Sequence, residues 1–318
     1  MERKTASTVP VDRAGTTIAD YLTARFTYLG ANEWLDQIVH GRVTLNGEAT
    51  NPDAILAVGD CVAFDPSAIE EPTVDSTFAI TMEDDDFLVV DKSGSLPCHP
   101  SGRFFRHSLW FILKERQGFI HIATRLDRET SGLVLVCKNP GAARHAQEMQ
   151  ASGSLRKTYL AMVHGRFPDR LETQGFLVKD ANSAVRKKRR WVENLEPSGG
   201  TESETCQTSF ECAGRSCSPA GDLSLVRAHP RTGRTHQIRA TLFSLGFPVV
   251  GDKLYGLDEG FFLRFAEDRL DTEDLQRLIL PNQALHCAEL AFTSRDGRAV
   301  AAHSEPRWAF PDQLPCLT

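Results

Sequence analysis

Apolar residues recur along the first sixty positions of the chain with two different periods. In TTIADYLTARF the residues Ile18, Leu22 and Phe26 fall four apart. In ANEWLDQIVHGRV the set Trp34, Leu35, Ile38 and Val39 repeats the device, so each segment predicts a helix with one buried face. VTLNGEAT then alternates apolar and polar positions and breaks at Asn46-Gly47, a strong local signal for a two-residue hairpin. AILAVGDCVAF predicts one more strand after a Gly-Asp turn. Together these elements predict a small α+β unit over residues 11–65.

The segment 66–76, within PSAIEEPTVDST, is rich in proline, serine and acid and reads as a linker. Beyond it, from 77 to 315, strand-like runs recur: FAITM, FLVVDK, GLVLVCK, KTYLAMVHG, LSLVRAHP and ELAFTS. Helical patterns fall between them, such as RHSLWFILKER and THQIRATLFSLG. The strands are spaced too irregularly for a βαβ repeat, which predicts an α+β domain around a mainly antiparallel sheet. The acidic EDRLDTEDLQRL, 267–278, reads as a surface helix.

One stretch breaks the ordinary pattern. HIATRLDRETSGLVLVCKN sets Arg125, Asp127 and Arg128 directly before Leu133–Cys137, five residues that read as a fully buried strand. An aspartate in a turn most often caps the next element. Here two flanking arginines are expected to hold the carboxylate ionised, and an anion fixed at the lip of a core strand suits nucleophilic attack or stabilisation of positive charge. A paired-acid hydrolase needs a second carboxylate, and the near one, Glu129, lies two residues away on the same loop, where convergence on one bond is unusual.

Charge changes the picture once. The formal net charge of −6 argues against a nucleic-acid partner, and residues 11–65 hold three arginines against eight acids. Yet VRKKRRWV places Arg186, Lys187, Lys188, Arg189 and Arg190 in one run beside Trp191, and HPSGRFFRHS adds Arg103, Arg106 and two histidines. Basic residues beside an aromatic are the footprint expected for phosphates and an unstacked base. The eight cysteines form no CxxC pair, and the Cys206, Cys212, Cys217 cluster has the wrong spacing for a metal. They read as reduced thiols. The polar N-terminal segment and the lack of any long apolar window predict no secretory leader and no membrane span, with a cytoplasmic location as the expectation.

Two helices, a hairpin at V-x-L-N-G and a V-G-D turn resemble the alpha-L RNA-binding domain. RLDRETSGLVL resembles the signature loop of the RluA-type pseudouridine synthases. The rest of the chain agrees in order, with FLVVDKSGSLPCHPSGR before it and LRKTYLAMVHG, HPRTGRTHQIR and GFPVVGDKLYG after it. The resemblance implies an α+β catalytic domain that isomerises uridine to pseudouridine in ribosomal or transfer RNA. It also implies that Asp127 is the catalytic aspartate, attacking ribose C1′ or base C6. Tyr159 would pack on the uracil, Arg239 would pair with the aspartate, and Ile238 would lie near the base. Arg125 would fill the RNA stack after base extrusion.

No cofactor is expected, because the leaving group is also the incoming nucleophile. No obligatory protein partner is evident, and a monomer is the default expectation. Against the family pattern, Thr124 replaces a histidine, and Ser93, Ser95 and Cys98 replace proline, glycine and valine. The competing readings are a non-catalytic RNA-binding protein that keeps the fold and, less favoured, a nucleoside hydrolase.

Overall fold

The structure is a computed structural model, and it describes residues 5–26, 28–195, 202–218, 221–267 and 269–308. The chain separates into two compact units. The first comprises residues up to Thr73 together with Pro100–His107, and the second comprises Val74–His99 and Ser108 onward.

The N-terminal unit holds β1 (Thr5–Thr8), α1 (Ile18–Arg25), α2 (Ala31–Val39), β2 (Val43–Leu45), β3 (Glu48–Ala49) and β4 (Cys61–Phe64). Its strands form one antiparallel sheet in the order β1-β4-β2-β3. The unit therefore starts before residue 11, because β1 pairs with β4. Asn46 and Gly47 carry φ of 52° and 89°, so both central residues of the β2–β3 hairpin occupy the left-handed region that a type I′ turn requires. Thr17 caps α1 by accepting from the Asp20 amide at 3.1 Å. Trp34 and Ile38 are buried as expected, but Leu35 and Val39 face solvent, and Gln37 completes the inner face while its carbonyl oxygen accepts from Arg42 at 3.0 Å.

The stretch read as a free linker is partly tied down. The Glu71 carboxylate accepts the amides of Phe105, Arg106 and His107 at 2.8–3.0 Å. Burial works to raise its pKa, and these donors outweigh burial and hold the carboxyl below its ordinary value.

In the second unit the chain runs through β5 (Phe78–Glu83), β6 (Phe87–Lys92), α3 (Leu109–Gln117), β7 (His121–Ile122), β8 (Ser131–Cys137), α4 (Pro140–Ser152), β9 (Arg156–His164), β10 (Arg170–Lys179) and β11 (Arg189–Val192). It continues as β12 (Ser203–Ser218), β13 (Gly221–Pro230), α5 (Gln237–Ser244), α6 (Gly260–Ala266), α7 (Thr272–Leu278), β14 (Leu285–Thr293) and β15 (Ala299–His303). Among the described residues, the main path of the sheet is β11-β10-β12-β13-β9-β14-β8-β6-β5. β15 pairs with β14, and β7 with β8. Every pairing is antiparallel except β14 with β8. This is the α+β class with the mainly antiparallel mixed sheet that the pattern predicts.

β8 sits in the middle of the core, and Leu133–Cys137 are each 0% exposed. Gly132 makes the parallel seam possible. Its φ is +104°, and a side chain there would bring Cβ within 2.4 Å of the Cys287 carbonyl oxygen on β14. α5 follows β13 and carries Ile238 and Arg239, both buried. The acidic segment becomes helical only from Thr272, where Asp271 caps α7 by accepting from Asp274 N at 2.8 Å; Leu278 is buried and Leu275 exposed.

Candidate active site

The loop between β7 and β8 is held by backbone and side-chain bonds at almost every step. Thr124 is buried, and its hydroxyl accepts from Leu135 N at 2.7 Å. The Leu126 amide donates to the Cys98 thiol at 3.3 Å, and Thr130 N donates to Asp127 O at 3.1 Å. Gln283 donates to the Thr130 hydroxyl. Two of the family departures, Thr124 and Cys98, thus brace the loop from inside.

Lys92, at the end of β6, was not singled out by its sequence and fixes the same loop. Its ammonium is 1% exposed and donates to the carbonyls of Ser93, Arg128 and Thr130 at 2.5–3.1 Å. Burial lowers its pKa to about 8, with Cys98 and then Asp127 opposing that shift. At neutral pH the group stays mostly protonated and adds positive charge behind Asp127. The only sequence sign of it was a lysine closing a strand that opens with four apolar residues.

Asp127 is about one-third exposed, its side chain 30% accessible. Its Oδ2 accepts from Arg239 Nη1 at 2.7 Å. Arg239 in turn donates through Nε and Nη2 to Asp252 at 2.6 and 2.9 Å, a bidentate pair whose carboxylate is completely buried. Asp252 Oδ1 also accepts the amides of Leu254 and Tyr255 at 2.9 and 2.8 Å. The Tyr255 ring stacks with the guanidinium, whose carbon lies 5.0 Å from the ring centre.

The electrostatics follow from this arrangement. Burial pushes the Asp127 carboxyl up, but the Arg239 guanidinium, by charge and by hydrogen bond and with Lys92 behind it, outweighs burial and keeps the group below its ordinary value, hence ionised. Burial likewise pulls Arg239 down, and Asp252 and then Asp127 lift it above its ordinary value. The expectation that the flanking arginines ionise Asp127 is corrected here. Arg128 lies over the Phe265 ring at 4.8 Å and 3.5 Å from Glu129, and Arg125 is exposed, whereas the guanidinium in contact with Asp127 comes from α5, 112 residues later in sequence.

Glu129 is neutralised separately. Lys253, 4% exposed, donates to both its carboxylate oxygens at 3.0 Å and to Pro281 O at 2.6 Å. A paired-acid mechanism on this loop therefore lacks its second carboxylate. Tyr159 lies buried in the middle of β9, paired across to Ala228 and Cys287. Burial, then Cys287 and Asp127, raise its phenol well above the ordinary value, so it remains a neutral ring.

The basic run divides. Arg186, Lys187 and Arg190 are exposed, and Arg189 is half-buried at the start of β11. Lys187 lies 4.3 Å from the Phe262 ring centre. Partial burial lowers its pKa, Arg239 and Arg128 act in the same direction, and Asp127 and Glu129 oppose them, which places its ammonium within electrostatic reach of the Asp127 site. Lys188 points inward instead, 5% exposed and bonded to Glu259 at 2.8 Å, so it is a packing residue rather than a phosphate contact. Trp191 is also corrected, because its indole packs over Gly175, and a Cβ on that glycine would lie 2.9 Å from Trp191 Nε1. Arg103 donates to Tyr28 O at 2.9 Å and to Glu33 at 2.5 Å within the N-terminal unit, so its charge is already answered there. Among the described residues no group of three or more histidines, cysteines or carboxylates is arranged to hold a metal, and no helix is long and apolar enough to cross a membrane.

Comparison with known proteins gives the site its context. The family described as RNA pseudouridylate synthase matches residues 86–244, half of the chain, and that range includes Arg125, Asp127, Tyr159, Ile238 and Arg239. The tRNA pseudouridine(32) synthase, mitochondrial, of Saccharomyces cerevisiae is 28% identical over 244 residues, covering 76% of this chain and 51% of the yeast protein. The chain thus spans about half the length of that relative. A protein of Chlorobaculum parvum described as an uncharacterized RNA pseudouridine synthase is 30% identical over 289 residues, covering 86% of this chain and 84% of its own. Among solved structures, human RNA Pseudouridylate Synthase Domain Containing 1 superposes with a TM-score of 0.57 at 25% identity, over 74% of this chain and 86% of the human one. With the sequence match spanning β6 to α5 and an Asp127-Arg239 pair lying inside it, the chain belongs to the RNA pseudouridylate synthase family.

Proposed function

We infer that this protein is an RNA pseudouridine synthase that isomerises uridines in structured ribosomal or transfer RNA, with Asp127 as nucleophile. The observation that carries the reading is the ionised Asp127 carboxylate at the lip of β8, with Oδ2 fixed by Arg239 at 2.7 Å and the side chain still open to a ligand. Attack at ribose C1′ displaces uracil N1, the uracil turns, and C5 attacks C1′ and expels the carboxylate. Attack at base C6 is undone by elimination of the carboxylate after N1–C1′ has broken and C5–C1′ has formed. On either route the proton lost from C5 is matched by one gained at N1. The chemistry asks for no cofactor. Tyr159 supplies a flat neutral ring for the uracil, Ile238 an apolar contact beside it, and the exposed Arg125 a planar cation for the gap left by an extruded base. The N-terminal unit serves as an accessory alpha-L-type RNA-binding domain, and its acidic balance assigns most phosphate contacts to the second unit.

The test is to incubate the full chain with unmodified transfer and ribosomal RNA, map pseudouridine chemically, and repeat with Asp127→Asn. Pseudouridine in the wild-type lane alone supports the reading. An identical map from both proteins sinks it, RNA binding without product indicates the binding protein, and released uracil indicates a hydrolase.

The divided basic run gives a second expectation. Lys187→Ala and Arg125→Ala weaken RNA binding and each reduce the steepness of the salt dependence by about one counterion. Lys188→Ala leaves that slope unchanged and lowers the melting temperature, because it strips Glu259 of its cationic partner. Filter binding across a salt series, with thermal melts in parallel, separates the two behaviours.

A further inference from the structure

His236 belongs to no role drawn from the sequence, and it occupies a backbone conformation that side chains rarely adopt. Its φ is +58° at the residue leading into α5. A non-glycine residue in that region is strained and persists where the surroundings demand it. The side chain is 11% exposed. Its Nδ1 lies 3.0 Å from the Tyr255 hydroxyl and its Nε2 lies 3.9 Å from Asp127 Oδ1.

The neighbours assign the position of its proton. The Arg189 amide donates to the Tyr255 hydroxyl at 2.9 Å, so that oxygen already serves as an acceptor and its own proton turns to the other partner, His236 Nδ1. Burial raises the Tyr255 phenol above its ordinary value, which keeps it a donor. Nδ1 is therefore an acceptor, and a neutral ring carries its proton on Nε2, facing Asp127. The ring is neutral at physiological pH. Burial and then Arg239 push it down to about 4, Lys187 acts in the same direction, and Asp127 and Asp252 oppose them.

Asp127 is thus addressed from two sides. Arg239 holds Oδ2, while Oδ1 faces an N–H that lies beyond hydrogen-bonding distance. We propose that His236 is a positioning residue whose neutral Nε2–H, locked in that tautomer by the Tyr255 hydroxyl, steers Asp127 Oδ1 toward the reacting atom of the uridine. The proposal rests on the reading of Asp127 as nucleophile. When RNA fills the site and displaces water, the donor closes on Oδ1 and limits the carboxylate to one rotamer.

Three full-length variants test it, using an in vitro transcribed RNA that the wild-type protein modifies. His236→Asn tolerates the positive φ but withdraws the donor, His236→Gln reaches again with an N–H, and Tyr255→Phe releases the tautomer. In single-turnover assays His236→Asn is expected to lose roughly 10²-fold in rate with RNA affinity held within about threefold, and His236→Gln to recover most of the loss. Tyr255→Phe falls between them.

Wild-type rate in His236→Asn overturns the proposal. So does an equal loss in the Asn and Gln variants accompanied by a fall in melting temperature, which would mark His236 as merely structural. If Asp127→Asn is inactive while His236→Asn is fully active, the nucleophile reading stands and only this inference falls. An active Asp127→Asn removes both.

Discussion

Asp127→Asn is expected to stop pseudouridine formation while leaving the protein folded. The amide keeps the shape of the carboxylate and still offers Arg239 an oxygen, but it has no anionic pair to attack carbon. Removal of a nucleophile lowers turnover on the order of 10⁴-fold or more. Stability survives because the buried guanidinium retains its bidentate partner, Asp252, at 2.6 and 2.9 Å. Single-turnover kinetics should therefore show no product while the protein still melts cooperatively, only slightly below wild type. Turnover within tenfold of wild type would require a different nucleophile.

Arg239→Met should do the opposite, damaging fold and site together. Asp252 has a fully buried side chain whose ion-pair partner among the described residues is Arg239, and Asp127 loses its anchor at the same time. Removing one member of a buried pair leaves an uncompensated charge and costs about 3–5 kcal/mol. The pH response carries a sign that distinguishes this cause from lost packing. In the wild type, burial raises both carboxyls but Arg239 outweighs it, so their folded-state pKa values lie below the ordinary value. Their contribution to stability is complete above the unfolded aspartate pKa and disappears as pH falls through the lowered folded values.

Without Arg239, burial is left to raise the Asp252 carboxyl, and a group whose folded pKa is raised gains stability as pH falls toward it. The gap in melting temperature between Arg239→Met and wild type should therefore narrow between about pH 7 and pH 5. A gap that stays constant over that range would mean that the loss is steric.

Much of the catalytic loop was legible in the sequence because its signals are local. The buried run Leu133–Cys137 follows from uninterrupted apolar residues, and the Asn46-Gly47 hairpin from two residues that accept positive φ. The motifs RLDRETSGLVL and THQIR placed Asp127 and Arg239 as candidates, and the structure brings the two side chains together. The helix face of ANEWLDQIV was only half right, since a period fixes which residues share a side but not how wide the buried stripe is. Leu35 and Val39 lie beyond its edge.

What sequence alone determined is therefore the kind of elements, the α+β class and the residue types of the site, because each depends on neighbours within a few positions. Which charges meet was decided only by the tertiary structure. Asp127 lies next to Arg125 and Arg128 in the chain, yet it is held by Arg239, and Lys92, Asp252, Tyr255 and His236 complete its surroundings from strands and turns far away in sequence. Lys188 and Arg190 are nearly identical in sequence terms, but Lys188, in the turn before β11, is bonded to Glu259, while Arg190, on β11, is exposed to solvent. The physical reason is common to all of these. Charge pairing depends on distance through space and on burial, and neither exists until the sheet has closed around β8 and α5 has packed behind it.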